Sequence, residues 1–179
     1  YYYNENSGMQ VAGVPNARTG SLTLPAKVTT LAGEEVALTT IPTYAFRNIK
    51  IDEIVIPATV TKIEASAFYA QSDSYAKLNS VIFESAAEGE AELSLEIMDE
   101  AFFGQSELTT LALPARISEF NTKILDGLNN LKNIEITGTM ADGKYASVEG
   151  MLTNAAKTEI LYVPKARTGK FTINTTSIN

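Results

Sequence analysis

The sequence lacks cysteine, histidine and tryptophan altogether. Without cysteine the chain has no disulfide framework, no zinc–thiolate site and no thiol nucleophile. The lack of histidine removes the most common general base and the usual nucleophile–base pairs of enzymes. The lack of tryptophan weakens any prediction of a platform on which sugars or bases stack. These absences point away from catalysis and from a tightly bound metal or other cofactor.

Basic residues are also scarce. The chain has 14 Lys and Arg and 21 Asp and Glu, so its net charge is −7. This balance argues against a nucleic-acid partner, whose phosphates need clustered Lys and Arg, and against simple docking on anionic lipid. No apolar run reaches the 18 residues of a membrane-spanning helix, so no membrane insertion is expected. No signal peptide is expected within this sequence, and an export signal or anchor is expected outside it.

One pattern recurs along the chain: an apolar residue, two variable positions, then apolar–x–apolar, often closed by proline. Its alternation of period two predicts a short strand with one buried face. Proline ends such a strand because it has no N–H for the ladder. The clearest copies are IDEIVIP from Ile51, LNSVIFE from Leu78, LTTLALP from Leu108 and LKNIEIT from Leu131. The predicted inward residues are Ile54, Ile56, Val81, Phe83, Leu111, Leu113, Ile134 and Ile136.

A second element follows the strand and ends in Ala-Phe, at 45–46, 67–68 and 101–102, with Ile124-Leu125 as a degenerate copy. Before it, the pair Val60 and Ile63 is predicted to recur as Val28 and Leu31 and as Ile117 and Phe120. The helix-forming segments EASAF and MDEAF predict a single helical turn whose Phe fills the core. We therefore predict that Phe46, Phe68 and Phe102 are buried and stacked along one internal ladder.

The spacing of these motifs defines the repeat. Phe46 and Phe68 are 22 residues apart, and Leu108 and Leu131 are 23 apart. Both intervals lie in the range of roughly 20–29 residues that leucine-rich repeats use. Phe68 and Phe102 are 34 residues apart, so this repeat carries an insertion. We assign the excess to the acidic stretch at about 85–97, as a surface loop or an extra hairpin.

A longer repeat overlays the short one, because VPNARTG at 14–20 matches VPKARTG at 163–169 in six of seven residues, 149 residues later. Before the second copy, SVEGMLTN and TEILYVP flank a short turn at 154–157, which predicts a β-hairpin. We expect a hairpin-bearing module at about 145–173. Residues 1–10, including the tyrosine run at 1–3, are predicted to be a linker or a poorly ordered start.

The motif IDEIVIPATVTKIEASAF at 51–68 resembles the BspA-like leucine-rich repeats of bacterial cell-surface proteins, and the resemblance extends from about residue 11 to the end. It implies a mostly β member of the α+β class: a right-handed leucine-rich-repeat solenoid of short strands and single-turn helices, with one irregular hairpin-bearing module. Stacked repeats of this kind share a continuous core. The resemblance also implies a secreted or surface-attached protein with a binding or adhesion role and no enzyme activity.

The strand parity predicts an outward face opposite the core. Val55, Ile82 and Ala112 form an apolar row on it, which marks a partner site or else reflects the preference of Val and Ile for strands. The candidate binding residues are Val55, Ile82, Ala112, Glu53, Glu135 and Tyr162, and Ile160 is predicted to be equivalent to Glu53.

The acidic stretch admits a calcium-binding interpretation, because calcium prefers clustered carboxylates, but its spacing matches no EF-hand loop and a solvated insertion is expected instead. Its acidic residues are Glu84, Glu88, Glu90, Glu92, Glu96, Asp99 and Glu100.

Two functions stay open at this point. One is a recognition or adhesion surface for a host or bacterial macromolecule, an unidentified protein or glycan. The chain itself is then expected to be a monomer at the cell surface or outside the cell. The other is a structural spacer within a larger surface protein. A continuous apolar patch on the strand face would favour recognition, and a uniformly polar face would favour the spacer.

Overall fold

The computed structural model describes residues 18–30 and 32–170 in full and the backbone of residues 2–4 and 8–10. The fold is mostly β, built from short strands joined by turns. The strands are β1 (Tyr2–Asn4), β2 (Gly8–Gln10), β3 (Thr19–Thr23), β4 (Lys27–Thr29), β5 (Glu35–Ile41), β6 (Lys50–Ile56), β7 (Lys62–Ile63), β8 (Ser80–Phe83), β9 (Glu96–Ile97), β10 (Thr110–Pro114), β11 (Asn133–Thr137), β12 (Tyr145–Val148), β13 (Met151–Asn154) and β14 (Ile160–Tyr162).

A first row of parallel strands is formed by the repeated apolar–x–apolar motif. Strand β6 pairs with β3 on one side and with β8 on the other, and β10 pairs with β11 in a sheet of their own. The predicted inward residues are buried or half-buried: Ile54, Ile56, Val81, Leu111, Leu113 and Ile134 are buried, and Phe83 and Ile136 are half-buried against them. The alternation in the sequence therefore predicted which face of each strand lies in the core.

A second row of parallel strands lies beside the Ala-Phe turns and consists of β2, β5, β7 and β9. One prediction fails here. Ile63 of β7 is paired with Ile41 of β5, so Ile41 and not Leu31 occupies the equivalent place in the first repeat. Val28 lies on β4, which forms an antiparallel pair with β5, and Leu31 lies outside the described residues. The first repeat therefore carries its own inserted hairpin.

The Ala-Phe turns stack on one another, as predicted. The rings of Phe46, Phe68 and Phe102 are fully buried, with centroids 5.0 and 5.1 Å apart and interplanar angles of 5° and 11°. Backbone hydrogen bonds follow the same line, because Phe46 N donates to Ala67 O and Phe68 N donates to Ala101 O. The predicted single-turn helices are wrong at these three turns. Within the described residues the one regular helix is a 3-10 turn at Thr122–Leu125, the degenerate copy.

The extra length of the repeat between Phe68 and Phe102 is divided between two places. Leu78 follows Phe68 by ten residues, whereas Ile51 follows Phe46 by five, and these strand positions are equivalent because β6 and β8 pair in that register. The rest of the excess lies in the part of the acidic stretch that precedes residue 95. Leu95 is buried and bridges to Ile117, and β9 pairs with β7. Residues 95–97 are therefore part of the repeat and not of a surface loop.

The predicted hairpin near the second VPxARTG segment is present, because β13 and β14 pair antiparallel, and β12 adds a third strand to them. A second hairpin lies near the first VPxARTG segment: β1 and β2 pair antiparallel, and β2 also pairs with β5. The prediction that 1–10 is a linker is thus wrong for the residues of β1 and β2. Tyr1 and most of the first VPxARTG segment lie outside the described residues.

Candidate binding face

The outward residues of the first row of strands lie side by side, as the parity predicts. Val55 on β6 is paired with Ile82 on β8, and Thr23 on β3 is paired with Val55. Ile82 is 43% exposed, while Val55 and Ala112 are half-buried. The register argument, which required Ile82 to face out because Val81 and Phe83 face in, is confirmed.

Ala112 and Glu135 continue this face on the neighbouring sheet, where they are paired with each other and Glu135 is exposed. Strands β8 and β10 are adjacent, although no ladder joins them in the described part of the chain. Thr23 and Glu135 are polar and bound the apolar row formed by Val55, Ile82 and Ala112. The row is therefore three residues wide along the face and ends in polar side chains on both sides.

A parallel row of polar residues lies two positions earlier on the same strands. Glu53 is half-buried, pairs in register with Ser80, and its carboxylate Oε1 accepts a hydrogen bond of 3.0 Å from the Ser21 hydroxyl. Asn133 on β11 donates to the Thr110 hydroxyl at 3.5 Å and accepts from the Arg167 guanidinium at 3.2 Å. The outward face thus combines an apolar row with a hydrogen-bonded polar row.

The predicted place of Tyr162 on this face is wrong. Strand β14 belongs to the antiparallel sheet with β12 and β13, so neither Tyr162 nor Ile160 is added to the parallel row. The Tyr162 ring packs instead against Phe120, at 6.3 Å between centroids. Burial raises the pKa of the Tyr162 hydroxyl above its usual value, and the charge of Asp126 adds to this effect. The motif was misleading because β14 pairs with β13 in an antiparallel sheet and not with β11.

An aromatic row on the outside of the Ala-Phe turns was not predicted. The residue that follows each Ala-Phe pair is Arg47, Tyr69 or Phe103. The Tyr69 and Phe103 rings stack at 5.5 Å and 10°, and the Arg47 guanidinium lies 5.7 Å from the Tyr69 ring and 5.4 Å from that of Tyr44, which is 51% exposed. The sequence did carry a signal for this row, because a large side chain follows the Ala-Phe pair in all three copies.

The acidic stretch is held to the repeats by Arg116, whose side chain is completely buried. Arg116 Nη1 donates to the carbonyls of Val60 at 2.8 Å and Leu93 at 3.1 Å, and Arg116 Nε lies 3.2 Å from Glu92 Oε1. The other Glu92 oxygen accepts from Ala86 N at 2.8 Å. Burial lowers the pKa of the Arg116 guanidinium from its usual value, and the Glu92 charge opposes that shift. The expectation of a wholly solvated insertion is therefore wrong at Glu92.

We expect Glu92→Gln to lower the free energy of unfolding by about 2 kcal/mol, because it leaves a buried guanidinium without its counter-charge. The loss stays below the roughly 3–5 kcal/mol of a fully buried broken pair because solvent screens a partly exposed group, and the Glu92 side chain is 25% exposed. Urea unfolding followed by circular dichroism measures it. Glu88→Gln, at an exposed carboxylate of the same stretch, is the control, and equal effects of the two variants would contradict the prediction.

Other kinds of site find little support in the described residues. Within ranges 18–30 and 32–170, no group of three Asp or Glu side chains is arranged to hold a metal ion. No helix in the part of the chain that the structure describes is long and apolar enough to cross a membrane. Five of the six candidate binding residues lie on the outward strand face, and Tyr162 does not.

Comparisons with known proteins agree with this architecture. The family model described as BspA type leucine rich repeat region matches six copies over residues 39–153. A solved leucine-rich repeat protein from Bacteroides capillosus is 24% identical, with a TM-score of 0.55, over 66% of this chain and 77% of the other.

Two further solved structures share less of their length with this chain. The pneumococcal vaccine antigen PcpA is 19% identical over 89% of this chain and 50% of its own, with a TM-score of 0.44. A leucine-rich repeat protein from Eubacterium ventriosum is 20% identical over 74% and 38%, with a TM-score of 0.46. No curated protein matches the sequence. The motif, the stacked turns and the family match together show that the chain belongs to the BspA-type leucine-rich-repeat family.

Proposed function

We propose that this chain is a non-enzymatic protein of the cell surface or extracellular space, whose repeats coil as a right-handed solenoid and present the outward strand face to a protein or glycan. The observation that supports it most is the row of Val55, Ile82 and Ala112. Ile82 is 43% exposed to solvent, although a polar residue could occupy this outward position of the strand without any loss of core packing. A single exposed aliphatic residue needs no explanation, but an aligned row favours a contact surface.

The composition of the face supports a macromolecular ligand over a small one. The apolar row lies beside the polar row of Ser21, Glu53 and Ser80, which matches the mixture of apolar centre and polar rim typical of protein interfaces. The net charge of −7 argues against nucleic acid. We propose that the chain acts as a monomer, with the binding contributed by the outward residues Val55, Ile82, Ala112, Glu53 and Glu135.

We expect Ile82→Lys to change the free energy of unfolding by less than about 0.5 kcal/mol, because the side chain lies outside the core. Val81→Lys is the matched control on the same strand. Val81 is 5% exposed, so the lysine would place an unpaired charge in the core and unfold the chain. Thermal unfolding of both variants tests the parity of β8, and a folded Val81→Lys or an unfolded Ile82→Lys would overturn it.

Protein and glycan arrays probed with labelled wild-type and Ile82→Lys chains test the proposal itself. We expect at least one ligand to bind the wild type. Its affinity for the Ile82→Lys chain should be lower by a factor of at least about ten, as for a residue near the centre of an interface. A ligand that binds both chains equally would remove Ile82 from the site.

A second candidate function is a structural spacer within a larger surface protein. Two VPxARTG segments lie 149 residues apart, and a hairpin lies next to each of them, β1–β2 and β13–β14. This regular placement favours a unit of a longer array, in which stability comes from contacts between neighbouring repeats. Array experiments that find no ligand for the wild-type chain would favour the spacer over the recognition surface.

A further inference from the structure

The second row of strands contains a gap beside β9. Leu95 N donates to Arg116 O at 2.9 Å and Ser118 N donates to Leu95 O at 2.8 Å, as in the start of a parallel ladder. The next step of such a ladder would join the N–H and C=O of Ile97 to the chain that follows Ser118. Among the described residues these two bonds are not made. Ile97 therefore presents a free backbone donor and acceptor on the side away from β7.

The hairpin-bearing module holds this gap open. Phe120 N, which would continue the ladder, donates instead to the Tyr145 hydroxyl at 2.8 Å. The Phe120 ring also contacts the Tyr145 ring at 6.2 Å and the Tyr162 ring at 6.3 Å. These contacts draw the chain at Phe120 towards β12 and β14 and away from β9. The gap is thus fixed by packed side chains of the same chain.

The space left beside β9 is a groove of about 620 Å³. Ile97, which is 5% exposed, is one of the residues that line it, and Met98, which is 37% exposed, offers an apolar contact. Three carboxylates line the groove, from Glu96, Asp99 and Glu119, against a single lysine, Lys144.

Two of these carboxylates already have cationic neighbours. Glu96 Oε2 lies 3.4 Å from Lys62 Nζ and Asp99 Oδ2 lies 3.6 Å from Lys123 Nζ, but all four side chains are largely exposed. Exposed pairs of this kind contribute little and exchange partners readily. Glu119 is exposed and forms no ion pair within the described ranges. Glu119 is therefore the carboxylate of the groove that is left for a cation from outside.

We propose that this groove binds a basic, extended peptide segment of a partner protein, which adds to β9 as a further strand. Free N–H and C=O groups at a sheet edge are the recognition element of strand addition, and the side chains around the edge set specificity. Here the backbone bonds go to Ile97, and Glu96 and Glu119 select lysine or arginine. The groove is distinct from the outward strand face, so this inference does not depend on the proposed function.

The isotope-labelled full chain is titrated with three capped pentapeptides, KVKVK, EVEVE and KVPVK, and observed by nuclear magnetic resonance. We expect KVKVK to shift the amide signals of Ile97 and Ser118 and to slow hydrogen exchange of the Ile97 amide at least about tenfold, as a new backbone hydrogen bond does. KVPVK should bind more weakly because proline lacks the N–H. An unshifted Ile97 amide with all three peptides would overturn the proposal.

Charge selection is tested by EVEVE and by Glu119→Lys. We expect EVEVE not to bind, and Glu119→Lys to weaken KVKVK by about tenfold, with the difference shrinking at high salt. Ile82→Lys should leave KVKVK binding unchanged, which separates this groove from the outward strand face. Equal binding of KVKVK and EVEVE, or loss of KVKVK binding in Ile82→Lys alone, would contradict the assignment.

Discussion

Phe68→Ala is expected to lower the free energy of unfolding by about 3–5 kcal/mol, the usual effect of truncating a buried Phe. The Phe68 ring is the central member of the ladder and contacts Phe46 on one face and Phe102 on the other, with centroids 5.0 and 5.1 Å away. Alanine removes both stacked contacts and leaves a cavity between the Phe46 and Phe102 turns. Each of these turns is hydrogen-bonded through its backbone to the turn that carries residue 68, so they cannot close on the cavity. Urea unfolding followed by circular dichroism measures the loss.

Phe68→Leu is the matched control for the ring itself. Leu125 stands at the corresponding place of the Ile124-Leu125 turn, two turns further along the chain, and is buried there, so leucine is tolerated at this position of the repeat. We expect Phe68→Leu to cost about 1–2 kcal/mol, because most of the volume is retained while the ring stacking is lost. A Phe68→Ala variant that loses less stability than Phe68→Leu would show that the ladder does not hold the repeats together.

Gly104→Ala is expected to cost more than about 3 kcal/mol, since it combines an unfavourable backbone conformation with a steric overlap. Gly104 has φ +80° and stands two residues after Phe102. A Cβ at Gly104 would overlap the carbonyl oxygen of Ala70, far inside van der Waals contact. The obstacle is backbone, and Ala70 N is itself hydrogen-bonded to Phe103 O at 2.9 Å, so neither turn moves away easily.

Gly33→Ala separates the two causes. Gly33 has φ +85°, almost the same as Gly104, but a Cβ there would meet nothing within 4 Å. Gly33→Ala should lower the free energy of unfolding only by the cost of the unfavourable backbone conformation, about 1–2 kcal/mol. Thermal or urea unfolding of the two variants compares them directly. If Gly104→Ala is no worse than Gly33→Ala, the close approach of the turns at Ala70 is not a constraint on the fold.

The parity of the strands was predictable because it depends on neighbouring residues only. In LNSVIFE the alternation places Val81 and Phe83 on one face and Ile82 on the other, and a slip by one residue would bury less apolar area. The structure has Val81 at 5% and Ile82 at 43% exposure. The stacked Phe ladder was predictable for a related reason, since stacked repeats bring equivalent motif positions into contact even where, as between Phe68 and Phe102, one repeat carries an insertion.

Equivalence between repeats was less predictable, because a short motif can match by spacing alone. Val28 and Leu31 have the spacing of Val60 and Ile63, but Ile41 is the residue paired with Ile63. Tyr162 stands in a strand motif at the position that corresponds to Val55, but its strand, β14, pairs antiparallel with β13. In both cases the chain folds into a hairpin, and the pairing partner, not the motif, decides where the side chain lies.

The sequence alone determined the family pattern, the inward and outward faces and the position of the buried rings, all of which follow from apolar periodicity. The environment of each polar residue depends instead on tertiary contacts. Lys27, Thr59 and Arg116 occupy the same motif position after Pro-Ala, yet Lys27 is exposed and Arg116 is buried. The difference comes from the acidic stretch, which covers Arg116 and brings Glu92 to it. Burial of a charge depends on contacts between segments far apart in sequence, and no local pattern encodes them.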